Sequence, residues 1–298
     1  MIKKTALCSI MVLVLALVIP FALSARDVDP IVSTDWLEKN LTNPKVTVID
    51  IRKVEEYKEG HIPNAINVIY GSWAVMKAGI RNELPPTDDL FDLIGSAGIG
   101  ADSIVVVVGK ADNLPNRTDV SRVAWTLKYA GIQNVAILDG GYDKWLVEKK
   151  AVSREAFKAK SKSYQEKANE NLFVKKDYVK NNIGKVIIVD VREPEFFEGK
   201  KKLDFVAKTG RIKGALNLPT SKAFKNDGTY KSKDELAALV AGVIGKDTSK
   251  EIIVYCDTGK VCTAWAYVMT EILGYKNVKD YDGSTEEWMK DPNAPIEP

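Results

Sequence analysis

The 298-residue sequence is short of the side chains that most often carry out catalysis. It holds one histidine, His61, and three cysteines, Cys8, Cys256 and Cys262. One histidine excludes a typical zinc cluster and leaves no Ser-His-Asp triad in the half of the chain that carries Cys256. Its setting, Gly60-His61-Ile62-Pro63, reads as a structural turn. Cys8 lies inside an apolar leader, so two thiols remain beyond it. Two are too few for a disulfide-stapled scaffold, and a hydrophobic core must supply the stability. A charge excess is missing as well. The 43 basic and 40 acidic residues give +3; without residues 1–25, which hold Lys3 and Lys4 and no acid, 41 against 40 gives +1. That balance carries no footprint of a nucleic-acid partner. Beyond the leader, no apolar run is long enough to span a membrane.

The leader has its own grammar. Lys3 and Lys4 precede an apolar run over 6–23, and small residues in Ala22-Leu23-Ser24-Ala25 precede the charged Arg26 and Asp27. Residues 1–25 are therefore expected to be a cleaved signal peptide, which makes the protein periplasmic or otherwise exported, with no stable membrane association after cleavage. The alternative is an uncleaved anchor, because the run approaches spanning length.

The rest of the chain reads as one α/β plan written twice. The strand Val46-Thr47-Val48-Ile49 ends at Asp50-Ile51-Arg52, and Val186-Ile187-Ile188-Val189 ends at Asp190-Val191-Arg192. Gly60-His61-Ile62-Pro63-Asn64-Ala65 matches Gly210-Arg211-Ile212-Lys213-Gly214-Ala215. The runs Ile104-Val105-Val106-Val107-Val108 and Ile252-Ile253-Val254-Tyr255 correspond, as do Asp139-Gly140-Gly141 with Trp145 and Asp282-Gly283-Ser284 with Trp288. Apolar strands alternating with helical patterns predict, in each copy, a mainly parallel sheet covered by helices on both faces. The expected domains are 26–146 and 172–298. A linker over 147–171, rich in Lys, Glu, Ser and Ala, joins them, with partial helix allowed.

Cys256 is the main chemical candidate. It ends a β-branched strand and is followed by a short loop, Asp257-Thr258-Gly259-Lys260-Val261-Cys262, and then a helical pattern. Backbone N–H groups at such a turn lower a thiol pKa and make it a nucleophile. Gly259 permits the turn, and Lys260 is either an attractor of anionic donors or a solvated loop charge. Copy one has no thiol at the matching loop around Gly109. Arg117 and Arg122 there are weaker candidates to border the cleft. Arg192 has two readings: a structural partner of Asp190, or a guide for an anionic donor.

Asp-x-Arg, Gly-His-Ile-Pro-x-Ala, strand–Cys–loop–helix and Asp-Gly-[Gly/Ser]-x-x-x-Trp together resemble the layout of the rhodanese family, over nearly all of residues 31–290. The resemblance implies two tandem rhodanese-like domains of the thiosulfate/3-mercaptopyruvate sulfurtransferase type, the second catalytic and the first not. It also implies that Cys256 carries sulfane sulfur as a persulfide from a small-molecule donor to a thiophilic acceptor, such as cyanide, a thiol or a protein thiol. No metal or organic cofactor is implied. The loop residues 257–262 and Arg192 would bind the donor. The loop Cys-Asp-Thr-Gly-Lys-Val departs from both Cys-Gly-[Ser/Ala]-Gly-Val-Thr and Cys-Arg-Lys-Gly-Val-Thr. Its lysine and the export expectation favour thiosulfate over 3-mercaptopyruvate. Cys262 leaves a further alternative, a persulfide carrier or thiol-redox protein that uses Cys256 and Cys262 as a pair, beside the reading of Cys262 as a packing residue. A cysteine phosphatase is disfavoured because Cys-x5 is followed here by Cys262 and not by arginine.

Overall fold

A computed structural model of the chain describes residues 26–298, and the expected signal segment lies outside them. Among the described residues no helix is long and apolar enough to cross a membrane. The β-branched runs form strands, as their restricted χ1 rotamers favour. Five strands make the first sheet, in the spatial order Ile31–Val32, Asn134–Leu138, Ile104–Val108, Val46–Asp50, Ile66–Asn67. All neighbours in it are parallel. The second sheet has the same order in its own numbering: Phe173–Val174, Asn277–Tyr281, Glu251–Tyr255, Ile187–Asp190, Leu216–Asn217, again all parallel. The expected duplicated parallel α/β architecture is what the chain adopts.

Strand alternation sorts the core into layers. In the first sheet Val105 and Val107 enter a large shared core, while Ile104, Val106 and Val108 enter the first domain's own outer core. In the second sheet Ile252, Val254 and Cys256 face the same shared core, while Ile253 and Tyr255 face outward. Two helices cross the middle of the shared core, which Leu90 and Ile94 of the helix Thr87–Ser96 and Leu236, Val240 and Ile244 of the helix Lys233–Ile244 also line. Leu114–Tyr129 starts at Asn113, whose side chain accepts from the Asn116 N–H, with a proline in the first turn. Cys262–Tyr267 continues into a π-helical turn at Val268–Ile272. The two helices meet where Ser121 Oγ lies 3.2 Å from Thr263 Oγ1. The strand end that carries Cys256 therefore faces the other domain.

Residues 148–172 hold no helix. They form a strap along the first domain. Ser153 pairs with His61, the Lys162 N–H donates to the Gly95 carbonyl at the end of a helix, and the Asn169 N–H donates to the Tyr129 carbonyl. Tyr164 is buried and donates its hydroxyl to the Ala130 carbonyl at 2.7 Å. Carbonyls left free at helix ends supply these partners, which is why an extended strap wins over the partial helix. His61 is fully buried, stacked on Tyr57 with centroids 3.7 Å apart. A turn residue in the first domain's frame is the role its surroundings give it.

Candidate active site at the domain interface

Cys256 sits where the strand Glu251–Tyr255 ends, with 1% of its surface exposed. The loop after it curls around the sulfur. The N–H groups of Thr258 and Cys262 bond to it, and Cys262 Sγ lies 3.3 Å away. Burial alone would raise the Cys256 pKa. The Cys262 thiol and the two N–H groups outweigh that burial and the nearby Asp257 charge, and bring it down to about 6. Cys256 is thus held as a thiolate near neutral pH.

The curl depends on Gly259, which has φ +67 and whose Cβ, if it had one, would stand 2.2 Å from the Asp282 carbonyl oxygen. Only glycine fits there. Ser284 fixes the loop from the far side: its hydroxyl accepts from the N–H groups of Cys256 at 3.1 Å and Gly259 at 2.9 Å. The Thr285 and Glu286 N–H groups hold the Cys256 and Asp257 carbonyls. The Asp-Gly-Ser turn singled out in the sequence is therefore the loop's clamp.

The first domain reaches into this site. Arg122, fully buried, donates through Nη1 to the Gly259 carbonyl at 2.7 Å and to Asp282 at 2.6 Å, with Asp280 at 3.5 Å. Burial works against its charge, but the two carboxylates hold it protonated. Asp280 is also fully buried and accepts from Cys262 Sγ at 2.9 Å. Burial raises the pKa of Asp280 well above the usual carboxylate range, and that of Cys262 well above the usual thiol range. A hairpin of the first domain, Val75–Lys77 with Ile80–Glu83, lies against the rim. From it Asn82 donates to Thr258 Oγ1 at 2.9 Å, and Arg81 pairs with Glu286.

The remaining predicted residues fall as follows. Lys260 is drawn to Asp119 of the first domain at 2.8 Å, about one-fifth exposed, so its charge stays at the cleft edge. The Val261 carbonyl accepts from Thr220 Oγ1 at 3.2 Å. Asp257 is bonded by Thr285 Oγ1 at 3.0 Å, and burial raises its pKa although Arg192 opposes this. Arg192 is 3% exposed; its Nη2 pairs with Asp190 at 2.6 Å and donates to the Gly210 carbonyl, and its Nη1 lies 3.6 Å from Asp257. Arg52 repeats the first two contacts with Asp50 and Gly60. The guanidinium of Arg192 is therefore committed to the strand end in the same way as in the copy without a thiol. Arg117 turns back to the Ala111 carbonyl in its own loop. Asp280, Asn82 and Asp119 are the contributors that the sequence reading did not single out. One signal was present: Asp280 is a carboxylate in a buried strand, where the matching residue of copy one is Ile137.

Two sheets of one topology, with the thiols of Cys256 and Cys262 buried on the side of the second sheet that faces the first domain, define a tandem α/β protein assembled for thiol chemistry. The rhodanese-like domain pattern matches residues 33–148 and 175–291. A protein of Mycolicibacterium smegmatis named "Putative thiosulfate sulfurtransferase" is 36% identical over 278 residues, covering 90% of this chain and 98% of its own. "Sulfur carrier protein TtuD" of Thermus thermophilus is 31% identical over 281 residues, covering 89% and 95%. The crystal structure of SseA from Escherichia coli, described with the 3-mercaptopyruvate sulfotransferases, superposes with a TM-score of 0.70 at 25% identity, over 86% of this chain and 99% of that one. The chain belongs to the rhodanese family, and it is a sulfurtransferase.

Proposed function

We propose that the protein moves sulfane sulfur from thiosulfate to a thiophilic acceptor through a persulfide on Cys256. The observation that carries this is the buried Cys256 sulfur at a strand end, with Cys262 Sγ 3.3 Å away and a loop fixed by Gly259 and Ser284 around it, a setting that lowers its pKa to about 6. In the first step the Cys256 thiolate attacks the outer sulfur of thiosulfate. The S–S bond of the donor breaks, and sulfite leaves with its electron pair. In the second, cyanide or a thiolate attacks the outer sulfur of the persulfide and returns Cys256 as thiolate. Splitting the transfer in two is what a covalent nucleophile contributes. The N–H groups of Thr258 and Cys262 serve the negative charge of the thiolate and of the persulfide.

Thiosulfate is the favoured donor because a lysine, Lys260, stands on the loop edge, and because relatives of 32–36% identity carry that substrate in their names. 3-Mercaptopyruvate is the alternative donor. With Cys256 only 1% exposed, a donor enters by parting the residues at the domain interface. The reading includes export, with residues 1–25 as its signal and the periplasm as the compartment.

The test is thiocyanate formation from cyanide with either donor. We expect turnover with thiosulfate and a fall of at least about 10³-fold in Cys256→Ser, as for other nucleophile deletions. Faster turnover with 3-mercaptopyruvate would exchange the donor. Equal rates in Cys256→Ser would overturn the assignment.

A further inference from the structure

We propose that Cys262 is a resolving thiol: it attacks the Cys256 persulfide, releases the carried sulfur as sulfide, and leaves a Cys256–Cys262 disulfide. The inference rests on the persulfide reading above and goes beyond transfer to an external acceptor.

Three observations converge on it. First, the two sulfurs are 3.3 Å apart, both free and both buried, on either side of a loop that Gly259 and Ser284 lock in place. A disulfide bond is about 2 Å long, so a small approach closes it. Second, Cys262 Sγ also points at Asp280 Oδ1, 2.9 Å away. A thiol must lose its proton to attack, and a carboxylate in contact with it is the group that takes that proton. Third, this carboxylate is specific to the second domain. The matching position of the first domain is Ile137, and the helix residue that stands over Gly109 there, as Cys262 stands over Cys256, is the apolar Val120. Packing alone asks for a small residue at 262. It does not ask for a buried carboxylate in hydrogen-bond contact with that residue, held in turn by an arginine from the other domain.

The step balances without an outside oxidant. Cys262 gives its proton to Asp280, and its sulfur attacks Cys256 Sγ. The bond between Cys256 Sγ and the carried sulfur breaks, and that sulfur departs with the bonding pair and takes up the proton held by Asp280, leaving as hydrosulfide. The two cysteines are oxidised by two electrons, and the carried sulfur is reduced to sulfide. With the first step included, thiosulfate and the enzyme with Cys256 as thiolate and Cys262 as thiol give sulfite, hydrosulfide and the disulfide enzyme. An external dithiol then reduces the disulfide for the next cycle. Because Cys256 is closed off from solvent, the neighbouring thiol competes with any external acceptor at the high effective concentration of a positioned group.

The test is a single turnover of the full chain, reduced, freed of reductant under anaerobic conditions, and given one equivalent of thiosulfate with no acceptor. Sulfite reports the first step. Sulfide, and a disulfide mapped by differential alkylation and mass spectrometry, report the second. We expect one equivalent each of sulfite and sulfide and a Cys256–Cys262 disulfide. Cys262→Ser keeps a hydrogen-bond donor beside the sulfur; it should still yield sulfite but hold the added sulfur on Cys256 and release no sulfide. Asp280→Asn should release sulfide at least about 10-fold more slowly while the yield of sulfite stays at one equivalent. Sulfite with a lasting persulfide in the native chain would overturn the resolving role and leave the transfer reading standing. No sulfite from either chain would overturn the transfer reading itself.

Discussion

In the first half of the chain the strand Ile104–Val108 runs out at Gly109; in the second, Glu251–Tyr255 runs out at Cys256. The surroundings of both points are built alike, down to the Asp50–Arg52 and Asp190–Arg192 pairs with the same 2.6 Å contact. The residues at the two strand ends are not alike. A Cβ at Gly109 would stand 2.7 Å from Val120 Cγ1 and 3.2 Å from Ile51 Cγ1, so the first domain leaves no room for a side chain at the position where the second keeps a thiol. What the first domain has gained is Arg122, on the helix that packs against Cys262–Tyr267. It holds the Gly259 carbonyl, Asp280 and Asp282 of its twin. The duplication has thus divided the work: one copy carries the thiol, and the other carries the buried cation and the hairpin that complete its setting.

The strongest way to break this comparison is to move the thiol. Gly109→Cys in a Cys256→Ser background should restore no thiocyanate formation, leaving the at least about 10³-fold loss intact. It should also destabilise the fold by about 1–3 kcal/mol through overpacking against Val120 and Ile51, read by urea unfolding. Recovered turnover would show that the two strand ends are interchangeable. Next in size is Arg122→Met, which leaves Asp280 and Asp282 without their cation. Breaking a buried pair in this way costs about 3–5 kcal/mol, and the effect should exceed that of the same change at the more exposed Arg117. Equal effects would mean that the cross-domain ion pair is incidental.

The pH dependence sharpens the electrostatic side. Cys256 reacts as thiolate, so sulfite release should rise with pH through about 6 and level off above it. The Asp257 charge pushes the Cys256 pKa up, so Asp257→Asn should move the inflection to lower pH. A shift upward would remove Asp257 from the account. The smallest effect belongs to Lys260→Ala. Its pair with Asp119 is partly exposed and contributes at most about 1 kcal/mol to stability. Its loss should instead raise the KM for thiosulfate by a few-fold, and the difference should fade at high salt. A KM unchanged at low salt would leave Lys260 as a bond between the domains only.

Much of this was legible before any coordinates. The twin strands, the Asp-x-Arg ends and the Asp-Gly turns recur in the sequence because each half must build the same sheet, and local pattern specifies local structure. Cys256 was legible for the same reason: it follows a strand and precedes a glycine and a helix. Arg122 was legible only as a weaker candidate, beside Arg117, to border the cleft, since its partners lie 137 and 160 residues away. Asp280, in contact with Cys262, was hidden by its strand, where spacing says buried but not with which neighbour. Arg192 shows the converse. Its place near the cleft was readable, whereas its commitment to Asp190 and Gly210 depends on side-chain direction.

The most direct test of the account is where the sulfur is carried. Thiosulfate should be added to the Cys262→Ser chain and to Cys256→Ser, each with copy one unaltered, and intact and peptide masses read before and after cyanide. The account predicts one added sulfur on the peptide that holds Cys256, removed by cyanide, and none in Cys256→Ser. A cyanide-labile sulfur that persists in Cys256→Ser would contradict it.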